Sequence, residues 1–587
     1  MDKLAKILGA DLRSLGVLRI AVGALILIDL IHRSTDIVAH YTDIGTFPRS
    51  AAIENAYSRW TFSLHMMNGT WQVQAVLFVV AAAFAVALMV GYRTRLATIV
   101  SWLLLLSLQN RNWLILPGDN LMRALLFWAI FLPWGARFSV DKVLNRSWDR
   151  VPNQCLSWGT AAYFMQVVFV FWFGVLVKSG PEWRDGSAVY YALSFEQLTT
   201  SFGLLLLQIP MLLKPLTFGI LGLEAIGPLL LFSPIWTGPV RTLGVLLLLC
   251  LTLGMALTLN VGLFIWTTAI CLLGLLPSWF WERVDAWLGE SGGQTLAVYY
   301  DGDCGLCKNA VRAIRGFFPS GHVSFVTAQS KAEIDADMRR QNSWVVVDES
   351  GRPYFRYEAL LALAGSSRLF SSFVPLFSRS IVKKIGERIY RLIAEHRSLP
   401  CRVTIESTSK PPLFKLDVFT SAFVALLLAY VFLWNVAKIP GSALKFSERG
   451  RALGELLGLD QSWTMYAPSP THDDGWFVIP GKLKDGRVVD VYHAGKPVTW
   501  ERPSVISATF KNYRWQKFMQ RIQTSETYRP YYLQYLCRDW NRSHSGGSEL
   551  EELEIYFMLE PTLPNYEYAT PIKLSLMKHR CNEPQAR

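Results

Sequence analysis

Histidine is scarce in this chain, with nine in 587 residues, and the motifs that most often put it to chemical use are missing. There is no HExxH pair, no P-loop, no dinucleotide fingerprint and no GxSxG elbow, which sets aside the commonest zinc-protease, nucleotide-dependent and serine-hydrolase chemistries. No internal repeat of fixed period stands out, so a solenoid or propeller is not expected. Cysteine is thin as well. Eight are scattered along the chain, and only Cys304 and Cys307 form a patterned pair. No second Cys-x-x-Cys and no His pair follows to complete a zinc site, so no metal is expected. A cleavable signal peptide is not expected either, because the first apolar run, Gly16 to Ile31, continues without a small-residue cleavage site.

What the chain has in quantity is apolar sequence. Hydrophobic residues make up 51% and the mean hydropathy is +0.25, values that fit a polytopic membrane protein with about half its length in a bilayer. Candidate spans fall at 15–32, 74–92, 96–109, 121–134, 160–178, 216–233, 241–258 and 260–280, with another at 417–437. The run Phe202 to Leu213, interrupted by Pro210, reads as interfacial. The net charge of +13 raises nucleic acid as a partner. The cations lie in short loops between spans, however, as in Arg93, Arg95, Arg137, Lys142, Arg146 and Arg150, so positive-inside loops and membrane lipid explain them better. Counting spans from a cytoplasmic N-terminus puts residues 295–402 in the cytoplasm and everything after 437 outside.

Leu296 to Arg315 reads as a short strand, a Gly-containing turn and a helix opening on Cys304 and Cys307. The dipole and unpaired N–H groups of a helix start favour thiolate over thiol, lowering a cysteine pKa from about 8.5 to somewhere in roughly 3.5–7.5. One sulfur can then attack a disulfide and the other resolve it; a zinc half-site and two buried small residues are the alternatives. DGDCGLCKNAVR, the strand-like Ser324 to Ser330, the hairpin Ser343 to Leu361 and the helix Glu387 to Arg397 together resemble the DCC family of thiol–disulfide oxidoreductases over residues 295–402. The resemblance implies a thioredoxin- or glutaredoxin-like α/β domain with Cys304 attacking, Cys307 resolving, and Asp301 and Asp303 in the redox loop. No proline precedes the strand at Trp344 to Val347, where thioredoxins commonly place a cis-Pro.

The N-terminal bundle, residues 1–285, carries polar groups where they are costly. His40, Tyr41, Asp43 and His65 sit in the loops after the first span, and Asp119, Asn120 and Arg123 start another. Ionisable groups at that depth are pocket candidates, although Asp119 and Arg123 stand at i and i+4 and can simply pair. Lys178 ends an apolar helix shortly before Trp183. It either snorkels to the headgroups or turns inward, where desolvation makes it a base. AHYTDIGTFPR, GYRTRLAT, PGDNLMRALLFW and VKSGPEWRDGSAVYYAL are similar to the HTTM family, typified by the vitamin K-dependent gamma-carboxylase, over about residues 10–285. The resemblance puts Lys178 where that enzyme has its catalytic base toward hydroquinone and implies a quinone or hydroquinone as cofactor. The family's catalytic histidine has no counterpart near Asn120, which argues against carboxylation.

Residues 281–295 read as a linker, and Arg402 to Lys415 is polar and Pro-rich. From Lys438 onward the composition is soluble, with Asp474–Gly475 and Asp485–Gly486 turns that suit a small α+β domain outside the cytoplasm. There Cys537 and Cys581 are open to pairing. His472, Asp473 and Asp474 read as a solvated loop. The fold class expected is a mainly α-helical polytopic membrane bundle, an inserted thioredoxin-like α/β domain and a C-terminal α+β domain, in a bacterial inner membrane. Three functions compete: a thiol–disulfide oxidoreductase acting on a protein or small-molecule partner, a bundle enzyme with Lys178 as base and the thiols as reductant, and a non-enzymatic scaffold or redox sensor.

Overall fold

The structure, a computed structural model, describes residues 2–55, 57–112, 114–145, 152–289, 295–317, 323–395, 416–564, 567 and 569–582. Arg146, Arg150, the Gly292–Gly293 part of the linker, the redox segment beyond 395 and all of Arg402 to Lys415 lie outside the described residues. The bundle comprises α1 (Leu12–Ser34), α2 (Trp71–Val90), α3 (Thr94–Arg111), α4 (Pro117–Ala129), α5 (Trp158–Val177), α6 (Pro210–Leu230), α7 (Thr237–Thr258), α8 (Leu263–Leu273) and α9 (Ser278–Gly289). The second module follows as β1 (Leu296–Tyr300), α10 (Gly305–Phe317), β2 (Val323–Thr327), α11 (Ala332–Gln341), β3 (Val345–Val347), β4 (Pro353–Phe355), α12 (Arg356–Ser366) and α13 (Ser380–Glu395). Then come α14 (Val418–Val436) and the last module: β5 (Asp473–Val478), β6 (Pro480–Leu483), β7 (Val488–Asp490), α15 (Tyr513–Thr524), α16 (Arg529–Ser543), β8 (Leu550–Pro561) and β9 (Ile572–Arg580).

Among the described residues six helices, α1, α2, α5, α6, α7 and α14, are long and apolar enough to cross a membrane; α8 with α9 makes a seventh if that pair, bent by 82°, is one span. Three of the spans expected from the sequence are thereby corrected. The run at 96–109 lies in α3, which ends on buried Gln109, Asn110 and Arg111. That at 121–134 belongs to α4, whose 13 residues fall short of the roughly 20 needed for a straight crossing. The one at 260–280 breaks between α8 and α9. The Phe202 to Leu213 run also resolves differently: a short helix, Ser201–Leu207, stops and Pro210 starts α6 at its first position, where a missing N–H costs nothing.

Local chemistry fixes the ends of these helices. Ser157 and Thr160 cap α5 reciprocally, and α2 stops at Gly91, whose φ of +72° suits glycine. The fully buried guanidinium of Arg19 donates to the carbonyls of Leu88 at 2.6 Å and Met89 at 2.7 Å, satisfying the end of α2 from inside the bundle. On the outside, Val76 and Val79 of α2 and Leu246 and Leu257 of α7 are exposed, as a lipid-facing surface requires.

Following α1 identifies the two ends of the bundle. At its start, Ala10–Asp11 pairs with Gln154–Cys155, and Ser14 donates to the Leu276 carbonyl at 2.7 Å. This end carries the positive loops and the second module, where Arg312 of α10 reaches the Val143 carbonyl at 3.5 Å. At the other end Asp36, just past α1, takes Lys511 and Asn512 of the last module. The second module has a four-stranded sheet in the order β2-β1-β3-β4, with β1 and β2 parallel and the rest antiparallel. With α10 as the crossover, that is the thioredoxin-type arrangement. The last module is a five-stranded sheet, β9-β8-β6-β7 with β5 also on β8, stapled by a Cys537–Cys581 disulfide.

Candidate functional site

The thiol pair is built by the junction of β1 and α10. Asp301 accepts from the Asp303 amide and from Gln329 Nε2, both at 2.9 Å, and Gln329 Oε1 receives the Gly302 amide at 3.1 Å. Those bonds fix the loop that delivers Cys304, so Asp301 and Asp303 shape it rather than touch a reacting atom. The Cys304 carbonyl accepts the Lys308 amide at 3.1 Å, which makes Cys304 the cap of α10 and places Cys307 in its first turn. Both residues are only 4% exposed. Cys304 is disulfide-bonded, and not to Cys307. Where thioredoxins commonly present a cis-Pro, the residue before β3 is Trp344, whose indole N–H lies 3.3 Å from the Cys307 sulfur. Tyr390 of α13 in turn lies 3.3 Å from the Trp344 amide.

At the opposite end, ionisable side chains lock the last module onto the bundle. Arg33 donates to Asp29 at 2.7 Å, to the Tyr41 hydroxyl at 3.0 Å and to Asp119 at 2.5 Å, while Arg514 approaches the other Asp119 oxygen at 3.4 Å. Asp119 therefore pairs across modules and not with Arg123, which binds Asp460 at 2.8 Å. Lys511 and Asn512 hold Asp36 in the same seam.

Beneath this seam lies a chamber of about 580 Å³. Its lower wall is apolar, with Val170 and Phe171 of α5, Leu251 and Met255 of α7, and Phe264 and Ile265 of α8. The roof comes from Trp463, Met465 and Tyr466 and from Lys517, Gln520 and Arg521 of α15. Lys178 turns inward to this chamber, 8% exposed, ion-paired with Glu224 of α6 and 4.8 Å above the Trp183 ring. Trp183 donates to the Tyr466 carbonyl at 2.9 Å, tying the lysine's platform to the roof. Lys517 bonds Gln520 at 2.9 Å, and burial, helped by Arg521, pushes its pKa down to about 8. A second cavity of about 730 Å³, lined by Asp29, Arg33 and Asp119, shares the wall residues Leu116, Val261, Phe264 and Tyr513.

The structure gathers Lys178 and Trp183 at one chamber and Asp119 at the other cavity. It corrects the remaining pocket expectations, because packing consumes those side chains. His40 is buried with its ring 4.6 Å from Trp515, and His65 lies 2.8 Å from the Ser107 hydroxyl; burial pushes both imidazoles down to about 3, so they stay neutral. Asp43 closes its own loop through Arg49 at 2.7 Å, and Tyr41 is held by Arg33. Asn120 has a buried amide oxygen without a hydrogen-bond partner and lines neither cavity. His472, expected in a solvated loop, lies 3.0 Å from Glu182 and stacks on Tyr191 at 4.0 Å. Among the described residues no cluster of His, Cys, Asp and Glu could hold a metal.

Residues that sequence reading missed include Glu224, Arg33, Asp29 and Trp344. For the first three a signal existed, since each is an ionisable group inside an apolar helix.

The thiols and Lys178 stand toward opposite ends of the bundle, which α5 traverses. That helix has 20 residues, so about 30 Å separates its ends. The chamber and the thiol pair cannot exchange electrons by direct contact.

Residues 9–279 match the HTTM domain family, and residues 298–402 match the DCC1-like thiol-disulfide oxidoreductase family. No curated protein and no solved structure matches the chain.

Proposed function

Since the chain joins an HTTM domain to a DCC1-like thiol-disulfide oxidoreductase domain, we propose that it is a membrane-bound oxidoreductase exchanging disulfides through Cys304 and Cys307. The observation that carries this reading is the pair's seat: Cys304 caps α10 and Cys307 follows within one turn, in a thioredoxin-type sheet. The Cys304 thiolate attacks a partner disulfide, forming a mixed disulfide and releasing one partner sulfur as a thiolate. The Cys307 thiolate then attacks Cys304, so that a 304–307 disulfide forms and the second partner sulfur leaves. Both electrons stay on the partner, which departs as a dithiol. The positive loops favour the cytoplasmic side for this domain and the outside for the disulfide-bearing module. Cys307→Ser should accumulate a mixed disulfide at Cys304, recovered from acid-quenched membranes by mass spectrometry; a variant that traps nothing while wild type turns over overturns the mechanism.

A second reading is favoured by Lys178, which faces an apolar chamber instead of the headgroups. There the lysine, with Glu224 and Trp183 positioning its side chain, serves in its neutral amine form as the base that takes a proton from a quinol or another ionisable amphiphile, the resulting ammonium pairing with Glu224. Communication between such a site and thiols at the far face requires a lipophilic carrier. Lys178→Ala should abolish turnover of a naphthohydroquinone probe and leave thiol exchange intact; loss of neither removes this reading.

A further inference from the structure

We infer that the outer face of α13, with the turn before it, is a membrane-surface anchor that seats the redox domain on anionic phospholipid. Ile381, Ile385 and Ile389 follow at helical spacing and are 72%, 50% and 55% exposed. Phe373, Leu376 and Phe377, in and beside the turn Val374–Phe377, extend the stripe and are also exposed. A contiguous row of these large apolar side chains is more than a water-facing helix of a small domain carries.

The fold does not need that row. The opposite face of α13 does the internal packing: Gly386 lets the Tyr357 ring approach so closely that a Cβ would lie 2.4 Å from it, and Tyr390 meets Ser343 and Trp344. Lys384, Arg388 and Arg391 run along one edge of the apolar row, with Glu387 and Glu395 the carboxylates of that helix, while Lys383 turns to Glu358 of α12 at 2.6 Å. An apolar stripe edged by cations is the pattern that lies in a lipid interface, with the stems of Lys and Arg reaching headgroup phosphates.

Position selects lipid over other occupants. Arg368, just after α12, stacks on Trp287 at 4.3 Å and donates to its carbonyl at 3.1 Å. Trp287 belongs to α9, which leaves the bundle bent by 82° from α8 and so turns along the membrane surface. The arm bearing the exposed row thus starts at the bilayer, at the end of the bundle that carries Arg93, Arg95, Arg137 and Lys142. Because Tyr390 of α13 holds Trp344 and Trp344 meets Cys307, lipid seating also fixes how the thiol pair is presented.

The test places a photoreactive benzophenone amino acid at Ile385, and separately at Ile389, of the full chain in nanodiscs of phosphatidylcholine with or without phosphatidylglycerol. Irradiation should give phospholipid adducts at both positions, more with the anionic lipid. The same probe at Glu387 should give few. Lys384→Gln with Arg388→Gln should lower the docked-to-undocked ratio by roughly thirtyfold, the product of about fivefold for each cation held near the headgroups. The single exposed substitution Ile381→Glu should weaken adduct formation at Ile389 without unfolding the domain. Adducts to a second copy of the chain, or no lipid adduct at either position, would overturn the proposal.

Discussion

The two modules hung from this bundle are attached in opposite ways. The last module is joined through buried carboxylates of the bundle: Arg514 on Asp119, which Arg33 holds from within the bundle, Lys511 on Asp36, and Arg502 on Glu196 at 2.7 Å. Among the described residues, the redox module bonds the bundle through two arginines on backbone carbonyls, Arg312 on Val143 and Arg368 on Trp287, the second also stacked on the indole. The difference separates a part of the binding chamber from an appendage. A roof that closes a cavity must keep its register, whereas a domain that hands disulfides to a partner needs its active edge accessible.

Breaking the tight seam should have the largest effect. Arg33→Ala, just beneath the seam, leaves Asp29 and Asp119 buried without their main cation and should cost about 3–5 kcal/mol, read as a lowered Tm in detergent. Reducing the Cys537–Cys581 disulfide, which closes a 44-residue separation, should cost about 2–4 kcal/mol and lower the Tm of this end while leaving the redox module folded. A pH series should sharpen the contrast further. Burial raises the Asp474 pKa to about 7, with Glu196 and Glu560 adding to it. The folded chain therefore keeps a proton that the unfolded chain releases from about pH 4 upward. The stability this contributes is complete below the ordinary Asp pKa and is lost as pH rises toward about 7, so the seam should weaken between about pH 4 and 7 and Asp474→Asn should flatten that slope. At the loose end Arg312→Ala should change stability by no more than about 0.5 kcal/mol, measured in the same melts. A larger loss there would mean that the two attachments are not different in kind.

Much of the architecture was legible because apolar length and the DGDCGLC string are local signals. The parallel β1–β2 pair, the helix opening at Cys304 and the Cys537–Cys581 bridge all sit where residue types alone allow them. Span count was less legible. Whether Gln109, Asn110 and Arg111 end a span or fill a core depends on what packs against them, and α4 is short for a crossing although it is apolar. Pocket residues were least legible. His40, His65 and Asp43 look chemical in sequence, and only the fold reveals that Trp515, Ser107 and Arg49 occupy them. Lys178 showed its ambiguity, snorkelling or inward; Glu224, 46 residues away, resolves it. Asp119 and Arg123 satisfy the helical spacing for a pair, yet stronger partners from other elements took both.

The central claim is that Cys304 and Cys307 form one exchange unit. Its most direct measurement is the reaction of a model disulfide with the pre-reduced full chain in nanodiscs after the reductant is removed, comparing wild type with Cys304→Ser and Cys307→Ser. The account predicts one disulfide reduced to two thiols per wild-type chain as the 304–307 disulfide forms, no reaction without Cys304, and a stable mixed disulfide with release of one thiol without Cys307. Full reduction of the disulfide by the Cys304→Ser chain would contradict it.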